Sequence, residues 1–303
     1  MQWTERLRPR QLRLLDVLAQ THNLSHAAER LHTTQPALSK QLKELEDAVG
    51  LPLFARHARG LRPTAYGEAL LVHARHILAQ LDRAGADMAA LRAGSAGRVV
   101  LGASGAAVSD TAPRAMLALL ARMPQAQVRL VEGTMDQLVG QLLQGTLDVV
   151  VGRSAPELHE PGLQTETLYS EPLNFVARPG HALVEAEPDW PGVLACRWIV
   201  WPRGTPIRET LEAALAAAGQ RLPEDCLESN SLSANLALLA DSNMIGTASH
   251  RAARRFEQAG ALRILALTLH SAGSVSMMWR QDVGQPLALQ NMLSCLREVA
   301  AAG

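Results

Sequence analysis

Residues 23–46 read NLSHAAERLHTTQPALSKQLKELE and predict two short helices joined by a tight turn. The second helix has an apolar face, because Leu38, Leu42 and Leu45 recur at i, i+4 and i+7. Its other face carries amide, hydroxyl and ammonium groups, from Gln35, Ser39 and Lys43, with Pro36 and Lys40 beside them. Such a helix packs through its leucines and presents groups that meet base edges and phosphates in the DNA major groove. The alternative is a helical hairpin with a solvated face.

The flanking residues supply the other parts of a helix-turn-helix. Ser25 is a candidate N-cap for the first helix, and Thr34 is one for the second. Ala27 and Ala28 allow the two helices to approach closely. Residues 9–21 predict a third helix that closes the core with Leu12, Leu15 and Leu18.

Residues 51–64 form a candidate wing. Arg56, Arg59 and Arg62 surround Gly60, which suits a tight hairpin turn. Arginines on such a hairpin straddle the duplex backbone or enter the minor groove. A solvated basic loop is the alternative interpretation.

Charge is divided unequally along a chain whose formal net charge is zero. Residues 1–95 contain 13 Lys and Arg against 9 Asp and Glu, whereas residues 96–303 contain 16 against 20. A basic head and an acidic body agree with phosphate contact by the head alone.

The N-terminal 95 residues resemble the LysR-type transcriptional regulators. The resemblance rests on Asn23-Leu24-Ser25, Ala27-Ala28, Leu31, Gln35-Pro36-Ala37-Leu38-Ser39, Leu42, Leu45-Glu46, Gly50, Leu53-Phe54, Arg56, Gly60, Pro63-Thr64 and Gly67. It implies a multidomain protein: an all-α winged helix-turn-helix N-terminal domain with a long linker helix, plus a two-lobed α/β periplasmic-binding-protein-like effector domain. The DNA-binding residues are then expected to be Ser25, Thr33, Thr34, Gln35, Pro36, Ser39, Lys40, Lys43, Arg56, Arg59 and Arg62.

Residues 65–93 predict one long helix with a coiled-coil seam. The two heptad lines are Leu70, Ile77, Ala84 and Leu91, and Ala74, Leu81 and Met88. We expect a homodimer in which Leu70, Ile77, Leu81, Met88 and Leu91 make the contact and two recognition helices reach half-sites about one turn of DNA apart. The alternative is packing of this helix against its own domain.

Glycines at 94 and 97 mark a domain boundary, so the expected domains are 1–64, 65–93 and 97–303. Beyond it, strands and helices alternate: strands at 98–102, 127–131, 147–152, 173–177, 197–201, 244–247 and 274–280, and helices at 107–122, 134–144, 206–218, 232–241 and 286–301. The first five elements are βαβαβ with short loops and predict a parallel sheet.

The order of elements resembles the periplasmic-binding-protein architecture, with lobe I at 97–168 and 270–303 and lobe II at 169–269. A cleft between two lobes is a small-molecule site, lined by strand ends and helix N-termini that favour anions. The loops that match the family's effector positions contain Ser104, Gly105, Gly133, Thr134, Arg153, Pro202, Gly204, Thr205, Gly246 and Thr247. Arg153 is expected to pair with a carboxylate, which favours a carboxylate or aromatic-acid effector. Trp198 and Trp201 are candidates to wall a ring, although a strand Trp is more often core.

Other function classes have weaker support. The chain has no Gly-x-Ser-x-Gly elbow or Gly-Lys-Ser phosphate loop, so an α/β enzyme using the same cleft is the second hypothesis. A transported-solute receptor is the third, but residues 1–6 begin no apolar run. We expect no metal and no cofactor, because the ten histidines lack a ligand-like spacing. Three distant cysteines suit a reducing cytoplasm, although a thiol switch stays open. The expected partners are double-stranded DNA, an effector, further copies of the chain as dimer or tetramer, and RNA polymerase when activating, with no membrane.

Overall fold

The computed structural model describes residues 3–57, 60–92, 97–154, 161–271, 273–281 and 285–302. The chain divides into two units, Met1–Ala89 with Gln144–Thr146, and Ala90–Leu143 with Leu147–Gly303. Each unit is described by itself below. The first is called the head, and the second is called the effector domain.

The head contains a short 3-10 turn at Thr4–Arg6 and then six elements. These are α1 (Pro9–Thr21), α2 (Leu24–Arg30), α3 (Gln35–Val49), β1 (Phe54–His57), β2 (Gly60–Pro63) and α4 (Ala65–Arg92). Strands β1 and β2 pair antiparallel as the predicted hairpin. The predicted leucines of α1 and α3 are all buried in one core, together with Ala27 and Ala28. The predicted three-helix arrangement is confirmed.

The caps of the two short helices differ in part from the prediction. Helix α2 begins at Leu24 and its N-cap is Asn23, whose Oδ1 accepts hydrogen bonds from Ser25 N at 2.8 Å and His26 N at 3.2 Å. Ser25 is therefore inside the helix, and its assignment as N-cap was wrong. Asn23 is the N-cap because its backbone is extended and its side chain reaches two backbone donors. Thr34 does cap α3, since its Oγ1 accepts from Ala37 N at 3.4 Å.

Helix α4 has two apolar faces. On one face Leu71 and Ala74 are buried in the head core, and Leu78 packs beside them. On the other face Ile77 and Leu81 are 40% and 44% exposed, and Met88 is 59% exposed.

The structure corrects part of the predicted seam. Ala74 belongs to the core of the head, and Leu70 is half-buried against the same core. The side chain of Leu91 lies outside the described residues, as do residues 93–96 of the predicted boundary.

The effector domain has two five-stranded sheets with helices around them. In chain order the elements are β3 (Arg98–Ala103), α5 (Gly105–Val108), α6 (Thr111–Arg122), β4 (Gln127–Glu132), α7 (Met135–Leu143), β5 (Val149–Ser154), β6 (Leu163–Ser170), β7 (Leu173–Ala177), α8 (Ala182–Glu185), α9 (Trp190–Leu194), β8 (Trp198–Val200), α10 (Pro206–Ala217), β9 (Cys226–Glu228), α11 (Leu232–Ala240), β10 (Ile245–Ser249), α12 (His250–Gln258), β11 (Arg263–Ile264), β12 (Ser274–Arg280) and α13 (Leu287–Ala301).

The two sheets define the two lobes. The order in lobe I is β4-β3-β5-β12-β6, and the order in lobe II is β11-β7-β10-β8-β9. Strand β3 runs parallel to β4 and β5, as predicted, whereas β12 is antiparallel to both of its neighbours. The chain changes sheet between β6 and β7 and returns before β12.

Two predicted elements differ from the structure for a physical reason, and most of the others shift by one or two residues at an end. The single helix expected at 107–122 is two helices, α5 and α6, because Asp110 leaves the helical region at φ −140° and ψ −66°. The strand expected at 147–152 is shifted to Val149–Ser154. Asp148 precedes it, and its side chain accepts from Val100 N at 2.7 Å.

Candidate functional site

The polar face of α3 is solvent-accessible along its length. Gln35, Pro36, Lys40 and Lys43 are exposed, and Ser39 is half-buried. On the turn before the helix Thr34 is exposed and Thr33 is half-buried, and on the neighbouring helix Ser25 is exposed. Lys40 makes only a long ion pair with Glu44, at 3.8 Å between two exposed side chains, so its charge stays available to a phosphate. All of these predicted residues are at least partly accessible to solvent.

The wing is anchored to the end of α1. Leu61 N donates to His22 O at 2.8 Å. Gly60 sits above that carbonyl with φ +108°, where a Cβ would come within 2.5 Å of His22 O. Only glycine fits this close approach and this backbone angle.

Two of the three predicted wing arginines can be described. Arg56 and Arg62 are both exposed, and they occupy adjacent strands because Ala55 pairs with Arg62. Arg59 lies outside the described residues. The described part of the wing therefore presents two cations to solvent.

Glu46 links α3 to the wing. Its Oε1 accepts from Leu53 N at 2.8 Å and from Phe54 N at 3.0 Å. Hydrogen bonds from backbone amides to a carboxylate are the stronger kind. Sequence reasoning recorded Glu46 in the family resemblance but missed this role, whose only signal was an acidic residue near the end of the recognition helix.

A pocket lies in the effector domain, between the lobe II sheet and helices α11 and α12. Lobe I contributes Gly105 and Ser109 to it, and Trp201 packs over Gly105, where a Cβ would be 3.4 Å from the ring. The space open to the centres of water-sized molecules is about 40 Å³. That is about three times the roughly 10–15 Å³ that a single water requires, so the pocket has room for a small molecule. The other lining residues are Val176, Ile199, Ile207, Leu232, Asn235, Leu236, Leu239, Gly246, Thr247, Ala248, Ser249, Ala252, Phe256 and Leu262.

Two polar side chains in this lining each have a buried oxygen for which the described residues supply no hydrogen-bond partner. Asn235 and Thr247 are 9% and 6% exposed. Among the residues that the structure describes, no hydrogen-bond partner is found for Asn235 Oδ1 or Thr247 Oγ1. A buried polar atom without a partner costs free energy and calls for an explanation, such as a bound group that completes its hydrogen bond.

The predicted effector residues separate into two groups. Gly105, Gly246 and Thr247 line the pocket. The others do not line it: Ser104, Gly133, Thr134, Arg153, Pro202, Gly204 and Thr205. The Thr205 hydroxyl is occupied, since it donates to Pro202 O at 2.7 Å. Of the two tryptophans, Trp201 lines the pocket and Trp198 is a fully buried core residue.

Arg153 is a buried inter-lobe residue rather than a cleft cation. It is 3% exposed, and its Nη2 donates to Glu171 O at 2.6 Å and to Ser249 Oγ at 3.2 Å. Burial lowers the pKa of the Arg153 guanidinium and raises the pKa of the Glu171 carboxyl. Gly273 leaves the space for this side chain, because a Cβ there would overlap Arg153 Nη1. Arg153 does not line the pocket, and its Nε and Nη1 find no partner among the described residues, so its pairing with an effector carboxylate stays a prediction.

Helix α12 joins the pocket to lobe I, which the sequence did not predict. Ala252 and Phe256 line the pocket. Arg251 donates to Ala300 O at 2.8 Å at the end of α13, and its guanidinium lies 3.6 Å from the centre of the Tyr169 ring. The only sequence signal was the cluster of arginines between 251 and 255.

The cysteines are placed away from these surfaces. Cys295 is buried, and Cys196 and Cys226 are half-buried, with each of the latter thiols donating to a backbone carbonyl. Burial raises the pKa of all three thiols, which disfavours the reactive thiolate. Within the described ranges there is no group of three or more His, Cys, Asp or Glu able to hold a metal ion. No helix in that part of the chain is long and apolar enough to cross a membrane.

Comparisons with known proteins agree with both parts of the fold. The family model for the bacterial regulatory helix-turn-helix protein, lysR family, matches residues 9–68, and the LysR substrate binding domain matches residues 92–301. The regulator GalR of Pseudomonas putida is 32% identical over 96% of this chain and 73% of its own. The regulator PcaQ of Agrobacterium fabrum is 33% identical over 98% of this chain and 96% of its own. These relatives are transcriptional regulators and not enzymes.

Solved structures share the fold. The crystal structure of CbnR, a LysR family transcriptional regulator, has a TM-score of 0.73 at 23% identity, covering 97% of this chain and 99% of that one. Full-length CbnR complexed with its target DNA has a TM-score of 0.72 at 24% identity, covering 97% of this chain and all of that one.

Proposed function

The chain belongs to the LysR family of DNA-binding transcriptional regulators, and we propose that it acts in the cytoplasm as a homo-oligomer whose DNA binding responds to a small molecule. The proposal keeps the division expected from the sequence, in which 1–64 binds DNA, 65–93 dimerises and 97–303 binds the effector. The observation that carries the proposal is that one chain has both an exposed polar face on α3 and a pocket whose polar atoms find no partner among the described residues.

Two kinds of DNA contact are assigned to the head. Gln35 and Ser39 read base edges in the major groove, where an amide matches the two groups of adenine. Lys40, Lys43, Arg56, Arg59 and Arg62 contact phosphates, and Ser25, Thr33, Thr34 and Pro36 complete the surface near the helix N-terminus. RNA polymerase is the further partner proposed for an activating complex.

A Gln35→Ala variant is expected to lose base discrimination. One bidentate amide contact is worth about 1–3 kcal/mol at its base pair, so binding to the operator falls while binding to random DNA stays unchanged. Lys40→Ala should instead weaken binding to all sequences and lower the salt slope by about 1. Both are measured by fluorescence anisotropy on DNA flanking the protein's own coding region and on random DNA, over a salt series.

The matched control is Gln20→Ala, because Gln20 is exposed on α1 and bonds Asp16 of the same helix. It should change neither affinity nor slope. If Gln35→Ala kept the full operator preference, α3 would not be the recognition helix. If the unaltered protein bound both DNAs equally and weakly, the proposed function would fail.

The effector is proposed to act through the angle between the lobes. A ligand between the lobe II sheet and α12 presses on the helix that also holds α13 of lobe I through Arg251. A ligand that binds more tightly at one lobe angle than at another shifts the population toward that angle. In a dimer or tetramer this shift changes the spacing of the heads and the bending of the promoter.

Arg251→Met is expected to loosen the two lobes. It removes the hydrogen bonds to Val299 O and Ala300 O and the contact with the Tyr169 ring. A charge-assisted hydrogen bond contributes about 1.5–3 kcal/mol and a cation–π contact about 0.5–1 kcal/mol or more. The free energy of unfolding of the effector domain should fall by about 2 kcal/mol, measured by urea denaturation with tryptophan fluorescence.

Arg254→Met is the matched control, since Arg254 is exposed and pairs with Glu257 on its own helix. Its expected cost is below about 0.5 kcal/mol. Equal effects of the two substitutions would contradict the assignment of Arg251 as the inter-lobe contact.

A further inference from the structure

The lining of the effector pocket holds hydrogen-bonding groups but no charge. Its members are aliphatic, aromatic, glycine, hydroxyl or amide residues. An ionised ligand group buried here would lose its hydration without gaining an ion pair, which is strongly unfavourable. The pocket chemistry therefore disfavours the carboxylate that was expected from Arg153.

The predicted cation, Arg153, does not line the pocket. Arg153 Nη2 reaches Ser249 Oγ from the far side of the pocket wall, and it also holds Glu171 O. Its Nε and Nη1 find no partner among the described residues, but the side chain is only 3% exposed and does not line the pocket. The N-terminus of α11 does not replace it, because Ser231 Oγ already accepts from Ala234 N at 3.3 Å.

Asn235 and Thr247 supply the specific part of the site. Asn235 is the polar member of an otherwise largely apolar helix face, and Thr247 lies in the middle of β10. Their buried oxygens lack partners in the described structure. A carboxamide both donates and accepts, and a hydroxyl does the same, so together they match a neutral ligand group such as a hydroxyl or an amide.

We infer that this pocket takes an uncharged, mainly apolar small molecule whose hydroxyl or amide group pairs with Asn235 and Thr247. The inference rests on the proposed function, since it names the class of effector for that same pocket. Trp201 and Phe256 contact the apolar body of the ligand, and the two polar residues select its polar end. Helix α12, which lines the pocket and contacts α13, then transmits the effect of ligand binding to lobe I.

The test uses three probes that share one ring and differ in the polar group: benzyl alcohol, benzamide and benzoate. Binding to the full-length protein is followed by saturation-transfer NMR and by titration. We expect benzyl alcohol or benzamide to bind at least about tenfold more tightly than benzoate. Asn235→Leu and Thr247→Val should each weaken that binding by about fivefold or more, whereas Ser233→Ala, on an exposed position of α11, should not.

A second readout separates a binding role from a structural one. Thr247→Val keeps the shape of the side chain and removes a buried hydroxyl that has no partner among the described residues, so the ligand-free protein should melt roughly 2–4 °C higher. A lower melting temperature would show that the hydroxyl serves the fold, and it would overturn the inference. Benzoate binding as well as the neutral probes would also overturn it.

Operator binding is measured on the same samples. If none of the probes binds up to its solubility limit while the operator is still bound specifically, the inference fails and the proposed regulator stands. If specific operator binding is absent as well, the proposed function fails with it.

Discussion

A Gly67→Ala variant is expected to lose most of the stability of the head and, with it, operator binding. Gly67 is the third residue of α4, and a Cβ there would overlap Leu53 O and lie 3.3 Å from Pro63 Cβ. That carbonyl also accepts from Thr64 N at 2.9 Å, and Thr64 Oγ1 accepts from Gly67 N at 3.1 Å. The added methyl group must therefore push α4 away from the wing and break the turn that joins them.

The cost should be about 3 kcal/mol, the upper part of the range for overpacking, because a backbone carbonyl cannot rotate aside. Stability of a small domain is only about 5–15 kcal/mol, so a large share is lost. Hydrogen exchange with mass spectrometry on the full chain should show faster exchange throughout residues 12–57, with little change in the effector domain. Operator affinity should fall in parallel.

Gly85→Ala is the matched control for this substitution. Gly85 lies in the same helix, and an added Cβ would find nothing within 4 Å. Alanine is the better helix former, so the head should be unchanged or more stable by up to about 1 kcal/mol. If Gly67→Ala lowers the stability of the head and Gly85→Ala does not, the loss comes from the close approach of Gly67 to Leu53 O. Unchanged exchange in Gly67→Ala would contradict that approach.

The head could be predicted from the sequence because periodicity and burial agree there. Leu38, Leu42 and Leu45 recur at i, i+4 and i+7 on one face of α3, and all three are buried. The N-cap of α2 was harder to predict, because Asn23 and Ser25 are both good N-cap residues and only the geometry of the turn determines which of them caps the helix. The seam of α4 was read in part incorrectly for a related reason. The heptad pattern contains residues from two apolar faces, one toward the core of the head and one toward solvent. Ala74 was therefore assigned to the exposed seam, although it lies in the core.

The effector site was less predictable, because packing decides what faces the pocket. Arg153 ends a strand, as a cleft residue should, but the space left by Gly273 lets its side chain turn inward. Thr205 stands before a helix, yet its hydroxyl stays on its own turn. Asn235 had a signal that went unused: it is a lone amide within the apolar segment Leu232–Ala240. The lack of a hydrogen-bond partner at a buried amide can be recognised only when the fold is known.

The exposed face of α4 carries an apolar stripe that has no counterpart in the core of the head. At about 100° per residue, Tyr66, Ile77, Leu81 and Met88 fall within an arc of about 60°, and each is at least 40% exposed. The core-facing Leu71 lies roughly 100° further round the helix. A stripe of this kind over about 33 Å of helix is the pattern of a coiled-coil seam, and a second copy of the chain presents the same stripe.

We therefore expect Leu81→Asp combined with Met88→Asp to separate the paired linker helices. Each Asp would be buried against an apolar partner and face its own copy across the seam, which is strongly unfavourable. The mass of the assembly in analytical ultracentrifugation should fall by half. Operator affinity should drop by about 10²–10⁴-fold, because two heads no longer bind as one unit. Binding to a single half-site should be unchanged.

Val72→Asp provides the control, since Val72 is 63% exposed on the same helix but lies off the stripe. It places the same charge on the same helix without entering the seam, so mass and operator affinity should match the unaltered protein. A double variant that keeps its mass would place the dimer contact elsewhere, and an equal loss in Val72→Asp would show a general effect on α4. Loss confined to the double variant would tie operator affinity to the pairing of the linker helices, which is the step that an effector-driven change in lobe angle must act upon.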